Sequence, residues 1–177
     1  TGNITIDSKL FLVENTYTLP EPDGYIKINV KLTNQSGSSV DNVRLWVGTR
    51  DDWVGTSDGP TKTRGNLVDG SFSPISSVGD QAKAIKVSTG TEAIMFYSNS
   101  SRAYTTINSC CSFANATNQN PATNVITATG DGSTSLLAQI IANPANWPSE
   151  LTRRATTRFV YLEQQTEKIY AAREPVF

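Results

Sequence analysis

Oxygen donors and bends crowd the stretch RDDWVGTSDGPTKTRGN, residues 50 to 66. Calcium takes about six to eight oxygens from carboxylates, amides, carbonyls and water, usually presented by a glycine-rich turn. Asp51, Asp52, Asp58, Asn66 and, just beyond, Asp69 supply candidate oxygens, while Gly55, Gly59 and Gly65 supply bends. Their spacing departs from the D-x-[DN]-x-[DN]-G loop, so they form a weak calcium set. TGDGS, with Asp131, is a second acidic turn, although Asp-Gly is first of all a hairpin dipeptide.

Other chemistries are narrowed by what is missing. The chain has no histidine, which removes imidazole-activated serine and cysteine nucleophiles and histidine-ligated zinc. Glycoside hydrolysis needs two carboxyls facing each other at roughly 5–9.5 Å. Asp51 and Asp52 are adjacent and, if extended, point to opposite sides, which leaves only distant partners such as Glu92 or Glu163. No catalytic residue is assigned, and no cofactor other than calcium is expected.

A sugar ring could stack on Trp46 or Trp53 as a ligand platform, with Tyr97 or Tyr104 beside it. The competing expectation makes Trp53 the plug that packs its loop onto a sheet. In the ordinary reading, Asp51, Asp52 and Asn66 accept backbone N–H groups and Arg50 or Arg64 neutralises the acids.

The two cysteines are neighbours, Cys110 and Cys111. Their alpha carbons should stand about 3.8 Å apart across a trans peptide, below the roughly 4.4 Å lower limit of ordinary bridges. Free thiols, a vicinal bridge and bridges to other copies of the chain all stay open.

These residues need strands to hold them. In YIKINVKLT, residues 25 to 33, Ile26, Ile28, Val30 and Leu32 alternate with polar residues, the pattern of a half-buried strand. Val43, Leu45 and Val47 resume the alternation with Trp46 opposite, and shorter pieces follow near 67–73, 82–88, 92–98, 103–107 and 123–129. About ten strands broken by Gly, Pro and Ser-Asn clusters predict an all-β sandwich or jelly roll. Leu136, Leu137, Ile140 and Ile141 have helical spacing before Asn143-Pro144, which predicts one short helix near 134–142, with an edge strand as the alternative. TRFVYLEQQ and EKIYAAR read as closing strands, with Phe159, Tyr161 and Ile169 inward.

Residues 1–19 are divided by PEPDG from a single domain over 25–177. The segment is either the first strand of its own sheet or a strand lent to a neighbour, with Ile4, Ile6, Leu10 and Leu12, together with Cys110 and Cys111, as assembly residues. A formal charge of −1, from 15 basic and 16 acidic residues with no run of one sign, points away from nucleic acid and anionic membranes. No apolar run is long enough for a membrane span. A chain that starts at Thr1 without a targeting segment is what a trimmed mature protein would present.

The stretches NQSGSSVDNVRLWVGTRDDWVGTSDGPTKTRGNL, EAIMFYS, INSCCSFANATNQNP and GDGS resemble an uncharacterised domain of secreted and surface, adhesin-like bacterial proteins. The resemblance covers roughly residues 25–135, and D-D-W-V-G, K-T-R-G-N and C-C-S are its most specific parts. It implies an extracellular all-β module and no site residue; residues from 136 onward depart from the pattern. Sequons at Asn3, Asn34, Asn99 and Asn115 are candidate glycan acceptors. The expected role is an extracellular structural subunit whose partners are copies of itself. A calcium-dependent module for a cell-surface glycan is the alternative, and a viral coat or fibre domain a further one.

Overall fold

The computed structural model describes residues 1–19, 25–38, 40, 43–90, 92–98, 100–111, 115, 118–140 and 153–162; the side chains of 43–46, 133–140 and 153–162 fall outside that description. Twelve strands follow in order: β1 (Gly2–Ile6), β2 (Lys9–Thr18), β3 (Tyr25–Asn34), β4 (Val43–Gly48), β5 (Thr61–Val68), β6 (Ser71–Pro74), β7 (Ala84–Thr89), β8 (Glu92–Ser98), β9 (Ala103–Ser109), β10 (Thr127–Thr129), β11 (Gly132–Ile140) and β12 (Arg153–Leu162). They pair antiparallel into a nine-stranded sheet, ordered β1-β2-β3-β12-β8-β7-β5-β10 with β6 also on β5, and a three-stranded sheet ordered β4-β11-β9. The class is all-β, with twelve strands among the described residues where the sequence pattern suggests about ten.

Alternation explains the best strands. In β3, Ile28, Val30 and Leu32 are buried, whereas Ile26 on the same alternation is exposed. β8 lies between β12 and β7, and its adjacent Met95 and Phe96 are both buried. Neighbours in a strand point to opposite faces, so this sheet is covered on both sides there. On one face Ile85, Val87 and Phe96 pack with Val54 and with Ile107 of β9, which joins the two sheets. On the other, Tyr25, Ala84 and Met95 pack with Leu67, Phe72 and Tyr97. Gly65 permits the second cluster, since a Cβ there would stand 2.6 Å from the Phe72 ring.

Three expectations are corrected. Residues 132–140 form strand β11, not the helix expected near 134–142, and residues 141 and 142 lie outside the described residues. β11 pairs with β4 on one side and β9 on the other, so both of its edges gain ladder hydrogen bonds that a helix at this place would forgo. Strand structure near 123–129 is confined to Thr127–Thr129. The predicted strand 67–73 is a hairpin, β5 to β6, turning through Asp69 and Gly70, both with positive φ (49° and 80°). Of the closing strands, TRFVYL falls in β12, while EKIYAAR and Ile169 lie outside the described residues.

Residues 1–19 form a hairpin that extends the chain's own sheet, because β1 pairs with β2 and β2 with β3. Its turn, Asp7-Ser8, holds two positive φ angles (47° and 62°), as a two-residue hairpin loop requires. Register separates the four predicted assembly residues: Ile4 stands opposite Phe11, whereas Thr5 stands opposite Leu10 and Asn3 opposite Leu12. Ile4 and Ile6 therefore share a face with Phe11, and Leu10 and Leu12 lie on the reverse. The anchor is Phe11, 1% exposed and packed on Leu32; Ile4, Ile6 and Leu10 are exposed. Phe11→Ala is expected to lower stability in urea unfolding by about 3–5 kcal/mol, as a large core truncation does. Ile6→Ala should stay within about 0.5 kcal/mol.

Candidate functional site

Two cations on β5 organise the region around residues 49–60. Lys62 and Arg64 share one face of the strand by alternation, and both are fully buried. Long charged side chains are almost never fully buried unless paired. Lys62 Nζ donates to the Gly130 carbonyl and lies 3.8 Å from Asp52 Oδ2, in an ion pair with both side chains buried. Asp52 is fixed further by the Thr49 hydroxyl, which donates to Oδ1, and by its own backbone N–H on the Gly132 carbonyl at 2.8 Å. Gly132 is required at this crossing, because a Cβ would come within 3.0 Å of Lys62 Nζ and 2.5 Å of the Asn108 carbonyl oxygen.

Arg64 works without an acid. Its Nη1 donates to the Asn124 carbonyl at 2.7 Å and its Nη2 to the Pro121 carbonyl at 2.8 Å. Burial pushes the guanidinium below its ordinary value, yet an arginine stays charged in proteins. Asn124, held in this way, uses its amide on the edge of β9: Oδ1 accepts from the Ile107 N–H at 2.8 Å and Nδ2 donates to the Ile107 carbonyl at 2.9 Å. One side chain thereby completes the backbone pairing that a further strand would have supplied.

Within residues 50–60, Val54 and not Trp53 is the plug. Val54 is buried in the first core cluster, and its backbone N–H and carbonyl close a turn with Ser57 at 3.1 and 3.0 Å. Trp53 is 57% exposed, and its indole Nε1 donates to the Gly55 carbonyl at 3.0 Å. The adjacent positions face opposite ways, and the smaller apolar side chain takes the inward one.

Of the expected calcium set, the structure brings together Asp51 and Asp58, joined by Asp131 from the second acidic turn. Asp52 is engaged with Lys62, and Asn66 bridges Gln81 and Lys83, its amide donating to the Gln81 carbonyl and its oxygen accepting the Lys83 N–H. Asp69 forms the β5–β6 turn. Arg64 neutralises none of these acids; its partners are carbonyls. The Asp58 carboxyl is raised above the ordinary 3.8, first by loss of hydration, then by the charges of Asp51 and Asp131 and a hydrogen bond with Asp51, against a pull downward from Lys62.

Cys110 and Cys111 follow β9 directly and are bonded to each other as a vicinal disulfide across a cis peptide. Arg50 Nε donates to the Cys111 carbonyl at 3.0 Å, tying this pair to the loop. One ligand atom from each of Asp51, Cys110, Cys111 and Asp131 lies within 4.8 Å of the others. Trp46 stands opposite Leu137 on β4, its side chain outside the described atoms. Tyr97 packs in the second core cluster on the far face of the large sheet, away from any platform with Trp53. Among the sequons, Asn3 and Asn115 are exposed, the Asn34 amide donates to the Ser38 carbonyl at 2.7 Å, and Asn99 lies outside the described residues.

Residues 61–66, expected to belong to the loop, are instead the first part of strand β5, and the wholly polar run Lys62-Thr63-Arg64 carries no sign in the sequence that one of its faces is buried. No family model, curated protein or solved structure matches this chain.

Breaking one side of the buried pair strands a charge, so Asp52→Asn is expected to cost about 3–5 kcal/mol in chemical denaturation, and pairing it with Lys62→Met should recover much of the loss. The acidic cluster has the opposite sign. A native carboxyl with a raised pKa binds its proton more tightly than the unfolded chain does, so that contribution is complete below the unfolded value near 3.8 and is lost as pH rises through the folded one. Asp58→Asn should therefore raise the thermal midpoint at pH 7, and the gain should vanish in strong acid.

Proposed function

We propose that this chain is an extracellular β-sandwich module that self-associates by strand addition, building a filament or surface layer from copies of itself. The observation that carries the reading is β1. Among the described residues it is the terminal strand of the large sheet, and all five of its residues, GNITI, are exposed. Native sheets blunt such edges with charge, proline or bulges. β1 has no charged residue, no proline and an unbroken register with β2. Its Ile4 and Ile6 add exposed apolar surface that a partner strand would cover. The resemblance to adhesin-like surface domains agrees with this reading.

A second reading, surface or glycan binding, is favoured by Trp53. An exposed indole pinned by its own N–H offers a flat ring at little ordering cost, in the same loop as Asp51 and Asp58.

Light scattering across concentration, with electron microscopy of the same samples, separates the two. The unmodified chain is expected to associate, and Thr5→Lys, which places like charges across a β1-to-β1 contact, should weaken association by at least about tenfold, or 1.4 kcal/mol. Monodisperse monomers at millimolar concentration, or association unmoved by both Thr5→Lys and removal of residues 1–7, would sink strand addition.

A further inference from the structure

Topology brings two kinds of metal ligand to one end of the small sheet. β9 and β11 are antiparallel, with Ser109 opposite Gly132, so Cys110 leaves β9 where Asp131 enters β11. The loop bearing Asp51 is held to the same place twice, by the Asp52 N–H on the Gly132 carbonyl and by Arg50 on the Cys111 carbonyl. Two sulfurs and two carboxylates thus converge from three separate segments, with their ligand atoms mutually within 4.8 Å. Four-coordinate zinc, with bonds of about 2.3 Å to sulfur and 2.0–2.2 Å to oxygen, needs ligands roughly 3.4–3.8 Å apart, which small side-chain adjustments reach from here. The cysteines are half-buried, and the two carboxylates are exposed to an arriving ion.

Bonded to one another, the sulfurs are poor ligands, because metals take the thiolate. We propose that reduction of the Cys110–Cys111 bond creates a site in which the two thiolates and the carboxylates of Asp51 and Asp131 hold a divalent ion such as zinc, so that thiol redox state gates metal binding. The reductant is a dithiol. It gives two electrons and two protons to the cystine, its own sulfurs close into a disulfide, and each cysteine thiol then releases its proton to water as it ligates. The ion keeps its charge throughout. Thiolate ligands select a softer ion than calcium. The Arg50 guanidinium, which donates to the Cys111 carbonyl, stands beside the site and offsets part of its surplus negative charge. The site is independent of the β1 edge and of any assembly through it.

Cobalt(II) reports such a site directly. The full chain is reduced with a phosphine, freed of it under nitrogen, and titrated with cobalt beside an unreduced sample. The reduced chain is expected to take one cobalt, with a thiolate-to-cobalt charge-transfer band in the near ultraviolet and intense visible bands of four-coordination, all lost on adding zinc. The oxidised chain should show neither. Cys110→Ser or Cys111→Ser should abolish the charge-transfer spectrum or halve it, and Asp51→Asn or Asp131→Asn should weaken binding at least tenfold. Asp69→Asn, in the remote turn, should leave it unchanged, and circular dichroism checks that each variant is folded. No band on the reduced chain, equal binding by the oxidised chain, or affinity indifferent to both aspartate variants would overturn the proposal.

Discussion

The arrangement depends on two buried positive charges on a single strand. Removing Lys62 and Arg64 from water is costly, and the cost is met only because every segment around them supplies oxygen: the Asp52 carboxylate, and the carbonyls of Gly130, Asn124 and Pro121. Those same bonds decide where residues 49–60 and 121–132 lie. Through Asn124, Arg64 also reaches Ile107, so a cation in the large sheet fixes the edge of the small one. The cluster of Asp51, Asp58 and Asp131 beside the cysteines follows from this placement.

The large sheet divides into parts with different duties. Around β8, β7 and β5 it carries apolar clusters on both faces and has little surface to offer. At the other end, the β1–β2 hairpin is anchored by Phe11, with Val13 half-buried beside it, and leaves Ile4, Ile6, Leu10 and Tyr17 exposed. The end with cores on both faces holds the loops, while β1 is the terminal strand of the sheet among the described residues. No helix among the described residues is long and apolar enough to cross a membrane.

Legibility varied with how local the governing force was. The sequence pattern places β8 at its observed bounds of Glu92–Ser98 and β3 to within a residue, because alternation and turn residues are local signals. The spacing of Leu136, Leu137, Ile140 and Ile141 favours a helix over the alternative edge strand; two neighbouring strands from distant sequence make the segment β11 instead. The vicinal bond between Cys110 and Cys111 was one of three open pairings, since the spacing of two cysteines restricts the choice without making it.

The sequence by itself determined the all-β class, most strand positions and the existence of an acidic, glycine-rich loop, since these follow from propensity, period and turn chemistry. Tertiary structure alone decided that Val54 points inward and Trp53 outward, that Phe11 and not Leu10 or Leu12 anchors the hairpin, and that Lys62 and Arg64 are core residues. Each of those outcomes turns on which face of a strand meets a partner far away in the chain. A shift of one residue in register reverses every face, and nothing within the strand itself can encode that choice.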